Sequence, residues 1–481
     1  MNEKKGICFE IFSSGVGVCL FGATGDLSKK KLIPSLYNLY AKEYVRENFF
    51  VINIGSKDYD EESFREYVSR ILKSEGAQNY ESFLSRNFYF KIDYSDEKSY
   101  FNLYKKFLQL ESRFLNGVKN RLFYLAIPPG FVEKTLLNIK NSFNPKPRNT
   151  EIIIEKPYGS NFCEALNLNL FLKENNIEKC VYRIDHYLGK DSVLNILLVR
   201  FLNFAFDKTF NNKFIDNIQI TVYEEEGVED RISFYDSIGA FKDMITHIIQ
   251  LISFVAMDLP KDMNQREIKK SKIKVLKNIK LFSEKEIKDY FIRGRYLGYE
   301  NINGVKKDSD TETFVAFKLE IETYRWKGVP FYVKCGKKMK EKMTRVDIVY
   351  KNSDNAFSNK YFIENSNILS FIIQPQKIME FRFNAKSDGP RFCVSAQSWN
   401  KHFNTTLLTP SDYERLLLDA VNKDKTLFLD SVEMEYIWRY IKHTEDTVLK
   451  NKIILERYEP KKILDSCLKM IEKDKRKWIY V

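Results

Sequence analysis

An α/β half followed by a larger β+α half with a mainly antiparallel sheet is the fold class this sequence predicts. Three observations predict it. A buried apolar strand from Val16 to Phe21 runs straight into a glycine turn and a helix. Strands and helices then alternate as far as Ile184. Beyond Tyr187 the texture changes, with strands expected at 217–226, 313–323, 331–335, 345–350, 368–374 and 378–384 and few helices between them. Alternation implies a parallel sheet with ligands at the carboxyl ends of its strands, whereas runs of strands imply an antiparallel one. With 481 residues and 44% hydrophobic content the chain can bury two cores. Two domains are expected, 1–187 and 188–481.

Composition narrows the function classes. A formal charge of +13 admits nucleic acid, anionic membrane or phosphorylated metabolites as partners. The basic residues, however, are scattered among the acids. The densest run, Lys269 to Lys274, continues with Val275, Leu276 and Ile279, which is the pattern of an amphipathic helix with a solvated face. No nucleic-acid partner is expected. No apolar run approaches the ~18 residues a membrane span needs, so no membrane is expected either. The 7 cysteines form no CxxC pair or metal knuckle, which fits free thiols in a reducing, cytoplasmic compartment.

The first strand leads into Gly22-Ala23-Thr24-Gly25-Asp26-Leu27-Ser28 and a helix through Tyr40. Strand, tight glycine turn and helix make the phosphate-binding unit of a dinucleotide fold. Gly22 allows the turn, and Gly25 lets backbone approach a pyrophosphate at the helix N-terminus. Ser28 at the third small position should loosen the packing slightly, and Pro34 should kink the helix. The second strand, Phe49 to Gly55, ends in Asn53-Ile54-Gly55-Ser56-Lys57 and has no acid for a ribose 2′-hydroxyl before Asp58. Helices at 61–72 and 97–110 follow, then a strand at 122–127. The next strand, 151–155, ends at Lys156, and a helix at 161–173 leads to a strand at 180–184.

That strand opens on Arg183-Ile-Asp-His-Tyr-Leu-Gly-Lys190, which sets Asp185, His186, Tyr187 and Lys190 within six positions. Only 4 histidines occur in the chain. The bland reading is a solvated loop. The functional one is a pocket for an anionic, hydroxylated small molecule: His186 and Lys190 hold a phosphate, and Asp185 orients a base from elsewhere in the chain. A helix at 193–204 follows, and a long buried helix at 234–256 carries Asp243 and His247. The C-terminal part turns helical at 411–420, 431–442 and 460–473.

Six stretches, in order, carry a resemblance: GATGDLSKKKLIPSLYNL from Gly22, EKPYG from Glu155, RIDHYLGK from Arg183, FVAMDLP from Phe254, GVPFYVKCGKKM from Gly328 and SDYERLLLDA from Ser411. Along nearly its whole length the sequence resembles the glucose-6-phosphate dehydrogenases. The resemblance implies a Rossmann-like NADP domain and a larger β+α domain. It also implies oxidation of β-D-glucose 6-phosphate at C1 to the lactone with hydride transfer to the nicotinamide, no metal, and a homodimer or homotetramer. By the same carry-over His247 is the general base and Asp185 its orienting partner. His186, Tyr187 and Lys190 bind the sugar phosphate, and Lys156 touches both substrate and cofactor. Glu224, Asp243, Lys337 and Lys342 line the sugar site, with Gln374 as a further candidate, and residues Gly22 to Leu27, Ser56 and Lys57 bind the cofactor. A catalytically silent relative acting as a binding or regulatory protein would have lost the base or the phosphate ligands, yet His247, Asp185, His186 and Lys190 all remain.

Two departures matter. The arginine the resemblance expects after the second strand is Ser56, followed by Lys57, and neither reproduces a planar guanidinium. The aspartate expected five positions before the catalytic histidine stands four before it, at Asp243. A four-step pair shares one face of an ideal helix, so a regular α-helix is expected here, where a five-step spacing would need a local widening.

Overall fold

The computed structural model describes residues 15–45, 48–159, 161–229, 232–352, 367–389, 393–403 and 409–481. Two units emerge, Met1–Gly189 with Thr406–Ser431, and Lys190–Thr405 with Val432–Val481. A single break after residue 187 does not foresee the second piece of the first unit.

The first unit is built on strands β1 (Val16–Phe21), β2 (Phe49–Gly55), β3 (Asn87–Lys91), β4 (Arg121–Leu125), β5 (Thr150–Ile154) and β6 (Val181–Ile184). They lie in the order β6-β5-β4-β1-β2-β3, every neighbouring pair parallel. β1, β2, β4 and β5 are buried along their whole length, as a parallel sheet with helices on both faces requires. A seventh, two-residue strand at Phe428–Leu429 pairs antiparallel with β6. It follows the helix Asp412–Val421, whose start is fixed by a capping box between Ser411 and Glu414. Glu414 is buried and accepts from Lys42 and Asn38, at 2.8 and 2.9 Å.

The second unit holds β7 (Ile215–Tyr223), β8 (Phe291–Tyr296), β9 (Phe314–Glu320), β10 (Pro330–Gly336), β11 (Met343–Tyr350), β12 (Ile368–Gln374), β13 (Ile378–Lys386) and β14 (Val394–His402). With a last strand at Leu455–Tyr458 beside β8 they form one nine-stranded sheet, β14-β13-β12-β11-β7-β10-β9-β8 and that strand. It is antiparallel except where β10 meets β7 and where β8 meets the last strand. The helix Gly239–Ala256 is buried on nearly every turn. It begins later than expected, because Gly239 takes a left-handed φ of 69° and a separate short helix, Ile232–Tyr235, precedes it.

Cys19, Cys180, Cys335 and Cys467 are buried free thiols, and Cys8 lies outside the described residues. No helix among the described residues is long and apolar enough to cross a membrane.

Candidate active site

In the first unit the glycine turn folds back onto β2. The amides of Gly22 and Ala23 both donate to the Ile54 carbonyl, at 2.9 and 3.0 Å, and the Gly25 amide donates to Gly22. Gly22 has a φ of 76°, and a Cβ there would strike the carbonyl oxygen of Ala126. Only glycine fits. Ser28 does not loosen the turn as its sequence position suggests. Its hydroxyl is fully buried and donates to the Gly22 carbonyl at 2.9 Å, bracing the loop from inside. Just upstream of Pro34, where the sequence leads one to expect a kink, lies a π-turn over Ser28–Leu32 in which the Ile33 amide reaches back to Ser28. Helix α1 (Ile33–Ala41) then accepts Pro34 in its first turn, where a missing N–H costs least.

β2 ends without a carboxylate. Asn53 is buried and spends its amide on Asn87 Oδ1 at 3.0 Å and on the Phe88 carbonyl. Ser56 and Lys57 are exposed, and the first acid, Asp58, is ion-paired with Lys91. A glycine cradle that excludes Cβ, with no acid at the end of β2 before Asp58, fits NADP.

β5 and β6 end on the other expected groups. Asp185 is fully buried; it accepts the Tyr187 amide at 3.0 Å and lies 3.7 Å from the Lys156 ammonium. Beside Lys156, burial pushes the Glu155 carboxyl up to about 7, against the pull of the Tyr124 hydroxyl that bonds it. Tyr158 donates to the Ile184 carbonyl and ties the ends of the two strands together. His186 is half-buried, while Tyr187 is only 3% exposed. The two tyrosines, 124 and 158, were not legible as site residues, since a buried phenol in a strand or turn reads as core.

The second unit gathers the sugar-site candidates by strand register. β10 and β7 run parallel with Gly336 opposite Tyr223, so Lys337 and Glu224 leave the sheet side by side. The Lys337 ammonium, 1% exposed as a residue, bonds the Glu224 carboxylate and Asp243 Oδ2, the latter at 2.9 Å. Asp243 comes from the helix Gly239–Ala256, which is regular α throughout, as its four-step spacing predicts. His247, one turn on, is 5% exposed. Lys342 is exposed and has no place in that triad; it stands one step beyond the Met343–Tyr223 pair of β11 and β7. Lys190 donates to Gln374 Oε1 at 2.6 Å, and Gln374 in turn donates to Thr344 Oγ1 at 2.8 Å. Thr344 gives no sequence signal, because it meets Gln374 only through the pairing of β11 with β12.

Two family descriptions match, "Glucose-6-phosphate dehydrogenase, NAD binding domain" over residues 19–195 and "Glucose-6-phosphate dehydrogenase, C-terminal domain" over residues 197–479. The chain belongs to the glucose-6-phosphate dehydrogenase family. The glucose-6-phosphate 1-dehydrogenase of Borreliella burgdorferi is 37% identical over 444 residues, 89% of this chain and 91% of that one. That of Bacillus subtilis is 36% identical over 92% of this chain and 93% of its own. A solved glucose-6-phosphate dehydrogenase in complex with glucose 6-phosphate superposes with a TM-score of 0.87 at 26% identity, covering 98% of this chain and all of that one. As a glucose-6-phosphate dehydrogenase the chain is an oxidoreductase that uses NADP.

Proposed function

We propose that His247 is the general base that removes the C1 hydroxyl proton of β-D-glucose 6-phosphate, giving 6-phospho-D-glucono-1,5-lactone at the entry to the oxidative pentose phosphate pathway. Asp185 holds the imidazole in the right orientation and steadies it once protonated. His186, Tyr187 and Lys190 hold the sugar phosphate, Lys156 serves substrate and coenzyme, and Glu224, Asp243, Lys337 and Lys342 meet the sugar hydroxyls. NADP, when bound, accepts the hydride that leaves C1. The turn from Gly22 to Leu27 would hold its pyrophosphate, with the helix that opens at Asp26 offering first-turn amides, and Ser56 and Lys57 would face its 2′-phosphate. A hydride leaves C1 readily only as the hydroxyl loses its proton, so a positioned histidine is the group the chemistry needs.

The observation that carries this reading is the unbroken helix that sets Asp243 and His247 one turn apart, with Asp243 already tied to Lys337 and Lys337 to Glu224. Prearranged donors and acceptors of this kind position a sugar without reorganisation. The chain divides accordingly into a coenzyme-binding part and a part for substrate binding and oligomerisation. It works in the cytoplasm as a homodimer or homotetramer and without nucleic acid, which its scattered charge supports. A steady-state assay at 340 nm with glucose 6-phosphate tests the reading. Turnover with NADP, and little with unphosphorylated glucose, is expected; equal rates with both sugars would overturn the assignment of the phosphate ligands.

A further inference from the structure

The 2′-phosphate distinguishes NADP from NAD, and a serine at position 56 gives it no cation. The sheet supplies one from the neighbouring strand. β2 and β3 are parallel, and the last pair in their register is Gly55 with Lys91. Lys91 therefore emerges at the same edge as the turn that carries Ser56, Lys57 and Asp58, and its ammonium is paired with the Asp58 carboxylate. The Lys91 and Asp58 side chains are 55% and 86% exposed. A pair so open to water adds little stability and exchanges partners readily.

The turn beneath them is fixed. Tyr89, buried in β3, donates its hydroxyl to the Lys57 carbonyl at 2.6 Å. Tyr59 packs edge-on against Tyr89, with ring centroids 5.5 Å apart. Asp60 then caps helix α2 (Glu61–Ser74) through the Ser63 amide at 2.8 Å. The turn also borders the glycine loop, since a Cβ at Gly55 would lie 3.8 Å from Thr24 Oγ1. A nucleotide whose pyrophosphate lies on that loop carries its adenosine ribose toward this turn.

We propose that Lys91, together with Lys57, receives the 2′-phosphate of NADP and so sets coenzyme preference, and that Asp58 is the counter-ion this phosphate displaces from Lys91. The proposal rests on the coenzyme reading above and names the residues that make the distinction. A phosphate monoester carries a charge of about −1.5 to −2 at neutral pH, so it competes for Lys91 with the single negative charge of Asp58. NAD offers only a hydroxyl there and leaves the Lys91–Asp58 pair in place. Lysines act as point charges without the fork of an arginine, so preference here follows charge more than geometry, and Asp58 holds it down.

Equilibrium binding of NADP⁺ and NAD⁺ by isothermal titration calorimetry, without sugar, tests this on the whole protein. Lys91→Ala is expected to raise the Kd for NADP⁺ about tenfold or more, the scale of one charge-assisted contact, while leaving the Kd for NAD⁺ within about twofold. Lys91→Arg should keep or improve NADP⁺ binding, and Asp58→Asn should tighten NADP⁺ several-fold and leave NAD⁺ unchanged. Unchanged preference in Lys91→Ala, or equal losses for both coenzymes, overturns the role of Lys91 alone. A wild-type protein that binds NAD⁺ as tightly as NADP⁺ overturns the coenzyme reading and this assignment with it.

Discussion

A base acts on the transition state, so His247→Asn should lower kcat by roughly 10²–10⁴ while leaving glucose 6-phosphate affinity largely intact. Retention of near wild-type kcat would remove His247 from that role. Lys190 calls for the opposite signature. Its ammonium is held by Gln374, which Thr344 holds in turn, so the cation is presented in one place. Lys190→Ala should raise KM for glucose 6-phosphate about 10–100-fold, the worth of a hydrogen bond to a charged group, with a smaller effect on kcat and none on use of free glucose. Equal losses for the two sugars would show that Lys190 does not read the phosphate. Much of this chemistry was legible, because histidines are few and RIDHYLGK places its ionisable groups together at a strand end. Ser28, Tyr124, Tyr158 and Thr344 were not: each acts through a contact made only after folding.

Elements read well where apolar period and burial agree, and badly where they part. β8 is written Phe-Ile-Arg-Gly-Arg-Tyr, and its two arginines hide the strand. Arg293 pairs with Asp310 and Glu312, and Arg295 donates to Ser309 and Thr311, so both are buried with partners the linear pattern cannot show. β14 is illegible in the sequence for the converse reason. It is a sheet edge with most residues exposed, and pairing with β13 alone defines it. The helix of His247 shows what spacing can and cannot say. Four-step spacing predicted its regularity, but its start is set by Gly239, whose missing Cβ leaves room for the Glu312 carboxylate. Glu312 accepts the Phe241 amide at 3.0 Å and caps the first turn. Gly239→Ala combines a left-handed strain with that clash, at a cost of about 1–3 kcal/mol or more. A melting temperature lowered by several degrees and a reduced kcat are expected. A variant melting like the wild type would show that the left-handed start is dispensable.

At the scale of the molecule, the return of Thr406–Ser431 to the first unit was not legible, because nothing local tells the helix Asp412–Val421 which sheet it will cover. The same unit sets a pH dependence. Burial raises Glu151 to about 8 and Glu155 and Asp419 to about 7, from ordinary values of 4.5 for the glutamates and 3.8 for the aspartate. Glu151 is the plainest case, 1% exposed and with neither carboxyl oxygen hydrogen-bonded among the described residues. Between these ordinary values and pH 8 the folded chain keeps protons that the unfolded chain has released. Unfolding therefore releases protons in that window, and stability falls as pH rises through it. Below about pH 4 the contribution is complete, and above about 8 it is gone. Lys334 and Lys425, lowered by burial to about 8, act in the opposite sense, but only above that pH, where the unfolded chain still holds their protons. The melting temperature should accordingly decline from pH 5.5 to 8 and stop declining beyond it, each carboxyl contributing on the order of one kcal/mol per pKa unit crossed and the three together several. Glu151→Gln imitates the protonated acid at every pH. It should flatten the profile and raise the melting temperature at pH 8 more than at pH 6. A variant as steep as the wild type would show that Glu151 does not change its proton on unfolding.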